Sequence, residues 1–192
     1  MKKVLVIASD RNELKGLDES WEKCVSGVGP VMAAVQSVIA IEKYKPDVVV
    51  STGSAGSLGR FRRGDVVSFS SVVTPDQDLT PFRVALGSTI GPDRATLGEL
   101  FTLDRTSGYV LCSSGKFSSE VLPSHRILKA DAADMEAYGV ALASRYMGVG
   151  FYCVKLITDI VGDKSTVGDV LFSYREGRER VSSFLSSLLL SS

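Results

Sequence analysis

Short runs of apolar residues, bounded by glycine, proline and polar clusters, recur along the chain at Lys3 to Ala8, Asp47 to Ser51, Asp65 to Val73, Gly108 to Cys112 and Phe151 to Thr158. Each has the length and β-branched content of a strand. Several are apolar at nearly every position, the pattern of strands covered by helices on both faces, so the chain is predicted to be α/β with a substantial parallel sheet. Helical spacing falls between the runs. Pro30 suits the first turn of a helix reaching about Lys43, because its missing N–H has no intrahelical partner there, and Lys45-Pro46 closes it. A second helix is predicted from Glu136 to about Met147, with Gly148 as its stop. The segment Ser183 to Leu190 places apolar residues at helical spacing and predicts an amphipathic closing helix. Thr74 to about Ser107, rich in Pro, Gly, Asp and Thr, is predicted to be mostly loop.

Composition narrows the picture. The 192 residues suffice for one substantial core and are short for two, so a single domain over 1–192 is expected. Lys plus Arg and Asp plus Glu both count 22, which offers no general attraction to nucleic acid or to an anionic membrane and points to a small-molecule or protein partner. The apolar run behind Met1-Lys2-Lys3 stops at Ser9-Asp10-Arg11, too early for a signal peptide, and no run approaches the roughly 18 apolar residues of a membrane span. Cys24, Cys112 and Cys153 are odd in number without a CxxC, and His125 is the lone histidine, so a reduced, cytoplasmic protein without a structural metal is expected.

Two glycine turns follow strand-like runs, Val25-Ser26-Gly27-Val28-Gly29-Pro30 and Ser51-Thr52-Gly53-Ser54-Ala55-Gly56-Ser57-Leu58-Gly59. Small residues there let backbone approach a ligand beyond the carboxyl ends of strands. The second turn has a GxxGxxG look, but it follows an internal strand and lacks Gly-x-Gly, so a dinucleotide fingerprint is not met and a plain tight turn remains open. Asp134-Met135-Glu136-Ala137 and Ile157-Thr158-Asp159 set carboxylates in otherwise apolar surroundings. Taken singly, Asp159 reads equally as a helix N-cap and Glu136 as a first-turn acid favoured by the helix dipole. Lys155 shares a strand face with Ile157 and must pair if buried; Asp159 and Glu13 are the expected partners, and an edge strand with Lys155 in solvent is the alternative. Glu13 lies just past the first strand, at the catalytic edge of such a sheet or as a solvated loop acid. Phe117 suits either stacking on a base or a place in the core, and His125 is expected at the surface.

Together the motifs resemble the purine nucleoside phosphorylase and nucleosidase superfamily, most closely its methylthioadenosine/S-adenosylhomocysteine nucleosidase branch. Ser26-Gly27-Val28-Gly29-Pro30-Val31 resembles that family's SGIGKV turn and Ser51 to Leu58 its NTGSAGGL loop. Asp134-Met135-Glu136-Ala137 resembles its EMEA motif and Ile157-Thr158-Asp159 its ISD motif. The resemblance implies a three-layer α/β/α fold with a central mixed, mostly parallel sheet, trimmed between Glu13 and Ser26. It implies that Asp159 protonates purine N7, that Glu136 holds the ribose hydroxyls with Met135 under the sugar, and that Glu13 activates water. Ser54, Ala55, Gly56 and Val28 would line the pocket, Phe117 would stack on the purine, and Ser118 would offer backbone polar groups. Lys155 stands where the family usually carries an arginine that orients the water-activating glutamate, and is counted with the substrate-binding set.

The activity so implied is hydrolysis of the N-glycosidic bond of a purine nucleoside or 5′-modified adenosine, with no metal or organic cofactor and a homodimeric assembly. A phosphorylase or futalosine hydrolase of the same fold and a nucleoside-binding protein without turnover are the rivals. Ala8-Ser9-Asp10-Arg11 only faintly echoes the GDPxR turn of phosphorylases.

Overall fold

The computed structural model describes residues 2–92, 94–164 and 167–190. Its strands are β1 (Val4–Ala8), β2 (Glu22–Val25), β3 (Val48–Ser51), β4 (Ser54–Ser57), β5 (Val66–Phe69), β6 (Ser71–Val73), β7 (Thr89–Ile90), β8 (Thr96–Leu97), β9 (Leu100–Phe101), β10 (Val110–Ser113), β11 (Ala132–Asp134) and β12 (Gly150–Ile160). Its α-helices are α1 (Pro30–Tyr44), α2 (Pro123–Ile127), α3 (Ala137–Tyr146) and α4 (Val167–Leu190).

All of these strands except the β7–β8 hairpin belong to one sheet, ordered β2-β1-β3-β12-β4-β11-β10-β6-β9 with β5 also against β12. The pairings are parallel except β4–β11, β5–β12 and β6–β9. β3 and β4 keep one register along β12, Cys153 opposite Ser51 and Leu156 opposite Ser54, so they are a single broken strand. Beyond the break its outer neighbour changes from β1 to β11. Because only Ser70 separates β5 from β6, the pairings run from β12 through β4, β11, β10, β6 and β5 back to β12, and the sheet curls onto itself.

Both sheet faces are covered, which is why the strands are apolar throughout. Leu5, Ile7, Val49, Phe151, Cys153 and Ile157 pack against Ala33, Ala40 and Ile41 of α1 and Ala137, Val140 and Ala141 of α3. The alternate residues Val4, Val6, Val50, Val154 and Leu156 meet Tyr174, Val181 and Leu185 of α4. The period of two in each strand thus feeds two cores.

Several local expectations are corrected. The Gly53 to Gly59 turn contains β4, because backbone bonds from β12 and β11 on either side outweigh the weak strand propensity of Ser-Ala-Gly-Ser. The run Asp65 to Val73 breaks at Ser70, whose N–H donates to the Tyr109 carbonyl (2.9 Å) as the strand changes partner. The Thr74 to Ser107 stretch is mostly loop, as expected, and adds only the two-residue strands β7, β8 and β9. The closing helix begins well before Ser183, at Val167. His125 is buried: its Nδ1 accepts from the Leu122 N–H (3.2 Å) at the start of α2, and burial pushes its pKa down.

α1 and α3 touch closely at Gly139, where an added Cβ would run into the Pro30 carbonyl oxygen and lie 2.9 Å from the Ala34 nitrogen. Gly139→Ala is expected to destabilise by about 1–3 kcal/mol through overpacking, even though alanine is the better helix former by ~1 kcal/mol. Urea unfolding checks this, and an unchanged midpoint would show that the helices can part freely.

Candidate active site

The carboxyl ends of β3, β11 and β12 meet the start of α3 around the strand break. Lys155 is 1 % exposed, and its ammonium lies 2.9 Å from Asp134 Oδ2 and donates to the Thr52 carbonyl at 3.0 Å. Asp134 Oδ2 also accepts from the Ala137 N–H at 3.0 Å, capping α3. Burial alone would pull the Lys155 pKa down, but the facing Asp134 carboxylate carries it above its ordinary value. The expected partners, Asp159 and Glu13, are therefore wrong, as is the solvent-facing alternative. Lys155 also does not line the cavity, and its place in the substrate-binding set is corrected: it is buried and its ammonium is taken up by Asp134 and the Thr52 carbonyl.

Glu136 follows directly at the N-cap position of α3, and its Oε1 accepts from the Gly29 N–H (3.0 Å) of the first glycine turn. Oε2 has no protein donor among the described residues. Burial first, and the Asp134 charge second, raise the Glu136 pKa from 4.5 to about 7, while Lys155 partly opposes.

Asp159 is no helix cap. It lies in β12 just after a register shift against β4 between Ile157 and Asp159, a bulge of the kind that re-aims a strand end. Its Oδ1 accepts from the Thr158 hydroxyl at 2.9 Å. A Cβ on Gly56 would be 2.9 Å from Asp159 Oδ2. The glycine is needed for the carboxylate to fit.

Glu13 is buried rather than solvated and ends in a ring of donors. Oε2 accepts from Ser9 N (3.1 Å), Ser9 Oγ (2.8 Å) and, at 3.4 Å, Asp10 N; Oε1 accepts from Ser54 N (2.9 Å) and Ser54 Oγ (3.1 Å). Gly53, at φ 126°, has no room for a Cβ, which would stand 2.9 Å from Glu13 Oε2. The glycine turn thus seats two of the protein's own carboxylates.

A cavity of about 320 Å³ opens between these groups. Ser54, Ala55, Gly56, Met135, Glu136, Asp159, Phe117, Ser118 and Val28 all line it. Ser9, Ala133, Asp134, Thr158, Val161 and Val170 line it too. Ser9 was legible from its place past β1, whereas Val170 on α4 carries no chemical signal. Glu13 stands in a second cavity of about 500 Å³ that shares the Ser54 and Val170 walls. Both volumes suit a small organic ligand, whose pockets run to roughly 300–1,000 Å³.

A family model described as Phosphorylase superfamily matches residues 23–190. The chain belongs to the phosphorylase superfamily. A 5′-methylthioadenosine/S-adenosylhomocysteine nucleosidase of Anoxybacillus flavithermus is 31% identical over 159 residues, covering 74% of this chain and 68% of that protein. One of the same name from a Geobacillus strain is 28% identical over 183 residues, covering 85% of this chain and 79% of that protein. Among solved structures, the Helicobacter pylori nucleosidase of that name, bound to butyl-thio-DADMe-Immucillin-A, superimposes with TM-score 0.83 at 19% identity, over 100% of this chain and 99% of that one. Futalosine hydrolase of the same organism gives 0.82 at 20%, over 100% and 98%. These superpositions carry the fold: a curled, mostly parallel sheet between helices is the superfamily's architecture.

The raised Glu136 pKa has a sign that can be measured. Between its ordinary 4.5 and about 7 the folded superfamily member holds a proton that the unfolded chain has released. The stability contributed is full below that interval and lost as pH rises through it. Glu136→Gln is expected to lack this fall, so its stability relative to the parent should grow between pH 5 and 8; parallel urea-derived curves would remove the raised pKa.

Proposed function

We propose that this protein is a nucleosidase that hydrolyses the N-glycosidic bond of a 5′-modified adenosine of the methylthioadenosine or S-adenosylhomocysteine kind. The observation that carries the choice of hydrolysis is the seat of Glu13. An attacking phosphate would need the N–H and hydroxyl donors of Ser9, Asp10 and Ser54, and Glu13 already occupies them as an anion. A second anion there meets repulsion rather than donors. A neutral water faces no such penalty and finds a carboxylate to take its proton.

The remaining roles follow from the cavity. Asp159 protonates N7 of the purine, turning the base into a better leaving group. Glu136 accepts from the ribose diol through the oxygen that Gly29 leaves without a donor, and Met135 packs under the sugar. Cleavage builds positive charge on the ribose, which the acidic groups around the sugar stabilise while water attacks the opposite face. Phe117, half exposed at the mouth, covers the base, with Ser118 offering polar groups beside it. Val28, Ser54, Ala55 and Gly56 shape the walls.

The assembly we propose is a homodimer in the cytoplasm. Val31 (73 % exposed), Met32, Val35 and Ile39 form an exposed apolar stripe at helical spacing on α1. The three cysteines are unpaired, which suits a reducing compartment. No helix among the described residues is long and apolar enough to cross a membrane.

Incubation with methylthioadenosine, S-adenosylhomocysteine, futalosine and inosine, with and without phosphate, should release free base and a reducing sugar from a 5′-modified adenosine independently of phosphate. Ribose 1-phosphate as product would make the protein a phosphorylase, and tight binding without release a binder. Asp159→Asn is expected to lower kcat by about 10²–10⁴-fold, the usual worth of a positioned acid. Light scattering should give twice the 20.5 kDa chain mass, and Val35→Glu/Ile39→Glu should give the monomer; a parent monomer at micromolar concentration refutes the assembly.

A further inference from the structure

The segment that carries Phe117 and Ser118 to the cavity leaves the sheet at the end of β10 and enters α2 at Pro123. It is fastened at its two ends and not between them. At the far end the Leu122 N–H donates to His125 Nδ1 (3.2 Å). At the near end the fastening comes from another part of the chain: Asp76 Oδ1 accepts from the Ser114 hydroxyl at 2.8 Å, and Asp76 Oδ2 from the Gly115 N–H at 2.6 Å. The Ser114 hydroxyl oxygen in turn accepts from the Lys116 N–H (3.1 Å), which shapes the turn leading into Phe117. From Phe117 to Val121 no hydrogen bond is made among the described residues, so the place of Phe117 depends on these end fastenings.

Sheet register brings Asp76 there. β6 and β10 are parallel neighbours with Val73 opposite Cys112, so the residues that follow them leave the sheet side by side. The start of the Asp76 loop is braced. The Asp76 N–H donates to the hydroxyl of buried Thr74 (3.3 Å), and Gly87 packs so closely that an added Cβ would lie 2.8 Å from the Thr74 carbonyl oxygen. No cation among the described residues pairs with Asp76, so both its oxygens serve the turn, as charge-assisted bonds roughly twice as strong as neutral ones. We propose that Asp76 is a positioning residue for base recognition, holding the Ser114-Gly115 turn and through it setting Phe117 against the base. The inference rests on the nucleosidase reading above. Asp76 does not line the cavity and acts only through the turn. Because Phe117 covers the base alike in the bound substrate and in the transition state, loosening the turn weakens binding and spares the chemical step.

Steady-state kinetics with methylthioadenosine test this. Asp76→Ala is expected to raise KM about tenfold, the worth of a hydrogen bond to a charged group, with kcat within about twofold of the parent. In a Phe117→Ala background the same change should raise KM by less than about twofold, because the side chain it positions is gone. Asp78→Ala, two residues on in the same loop, removes only bonds from Thr80 (3.0 and 2.6 Å) and should leave KM unchanged. Asp76→Asn, nearly isosteric, carries the same comparison should the alanine variant unfold earlier in urea. An unchanged KM in Asp76→Ala, an equal factor with and without Phe117, or a matching rise in Asp78→Ala would each overturn the positioning role and leave the reaction standing. Release of adenine by the parent from neither methylthioadenosine nor S-adenosylhomocysteine overturns the nucleosidase reading, and the inference falls with it.

Discussion

The buried pair of Lys155 and Asp134 is the constraint on which the rest of the site depends. It stands where the strand formed by β3 and β4 breaks and changes neighbours, so a backbone carbonyl, that of Thr52, faces inward without a strand partner. Lys155 satisfies that carbonyl and one oxygen of Asp134, while Asp134 caps α3. One ammonium therefore ties β12, β11, the break and the start of α3 at a single point. A buried pair of this kind adds little net stability compared with apolar packing, but losing one partner strands the other charge at a cost of about 3–5 kcal/mol. Its worth lies in geometry: Glu136, two residues beyond Asp134, is aimed at the cavity by the helix start that the pair holds.

The glycine-rich turn has the look of a phosphate cradle and serves another purpose. Gly53 and Gly56 leave the space in which the carboxylates of Glu13 and Asp159 lie against backbone. The donors that such turns commonly present to an anionic ligand are taken by Glu13. The same backbone chemistry that binds phosphate in related architectures here holds the carboxylate of Glu13, and the anion is part of the chain. Among the described residues, cationic side chains are by contrast absent from the first cavity's lining; Lys15, Arg175 and Arg178 line the second, where Glu13 also stands.

Much of the architecture was legible along the chain. The apolar runs correspond to β1, β3, β5 with β6, β10 and β12, and Pro30 and Lys45 mark both ends of α1, Lys45 taking the left-handed conformation at φ 47°. β4 was not legible, since Ser-Ala-Gly-Ser has the composition of a turn and becomes a strand only through two flanking partners. His125 was misplaced because a lone polar residue in a loop-like segment reads as exposed, and only packing shows that its ring closes the first turn of α2. Lys155 was correctly seen to need a carboxylate, yet the alternation of side chains along β12 cannot tell which acid from β11 or the first loop arrives beside it.

By itself the sequence determined the element types, the two-sided burial of the sheet and the identity of the acids at its carboxyl edge, because these follow from periods of 2 and 3.6 and from residue chemistry read locally. Tertiary structure decided which groups meet. The pairing of Lys155 with Asp134, the donors around Glu13, the elevated pKa of Glu136 and the basic cleft on α4 each join residues far apart in the chain. Distances between such residues are set by how the sheet curls and by which strands it places side by side, and no local pattern encodes them.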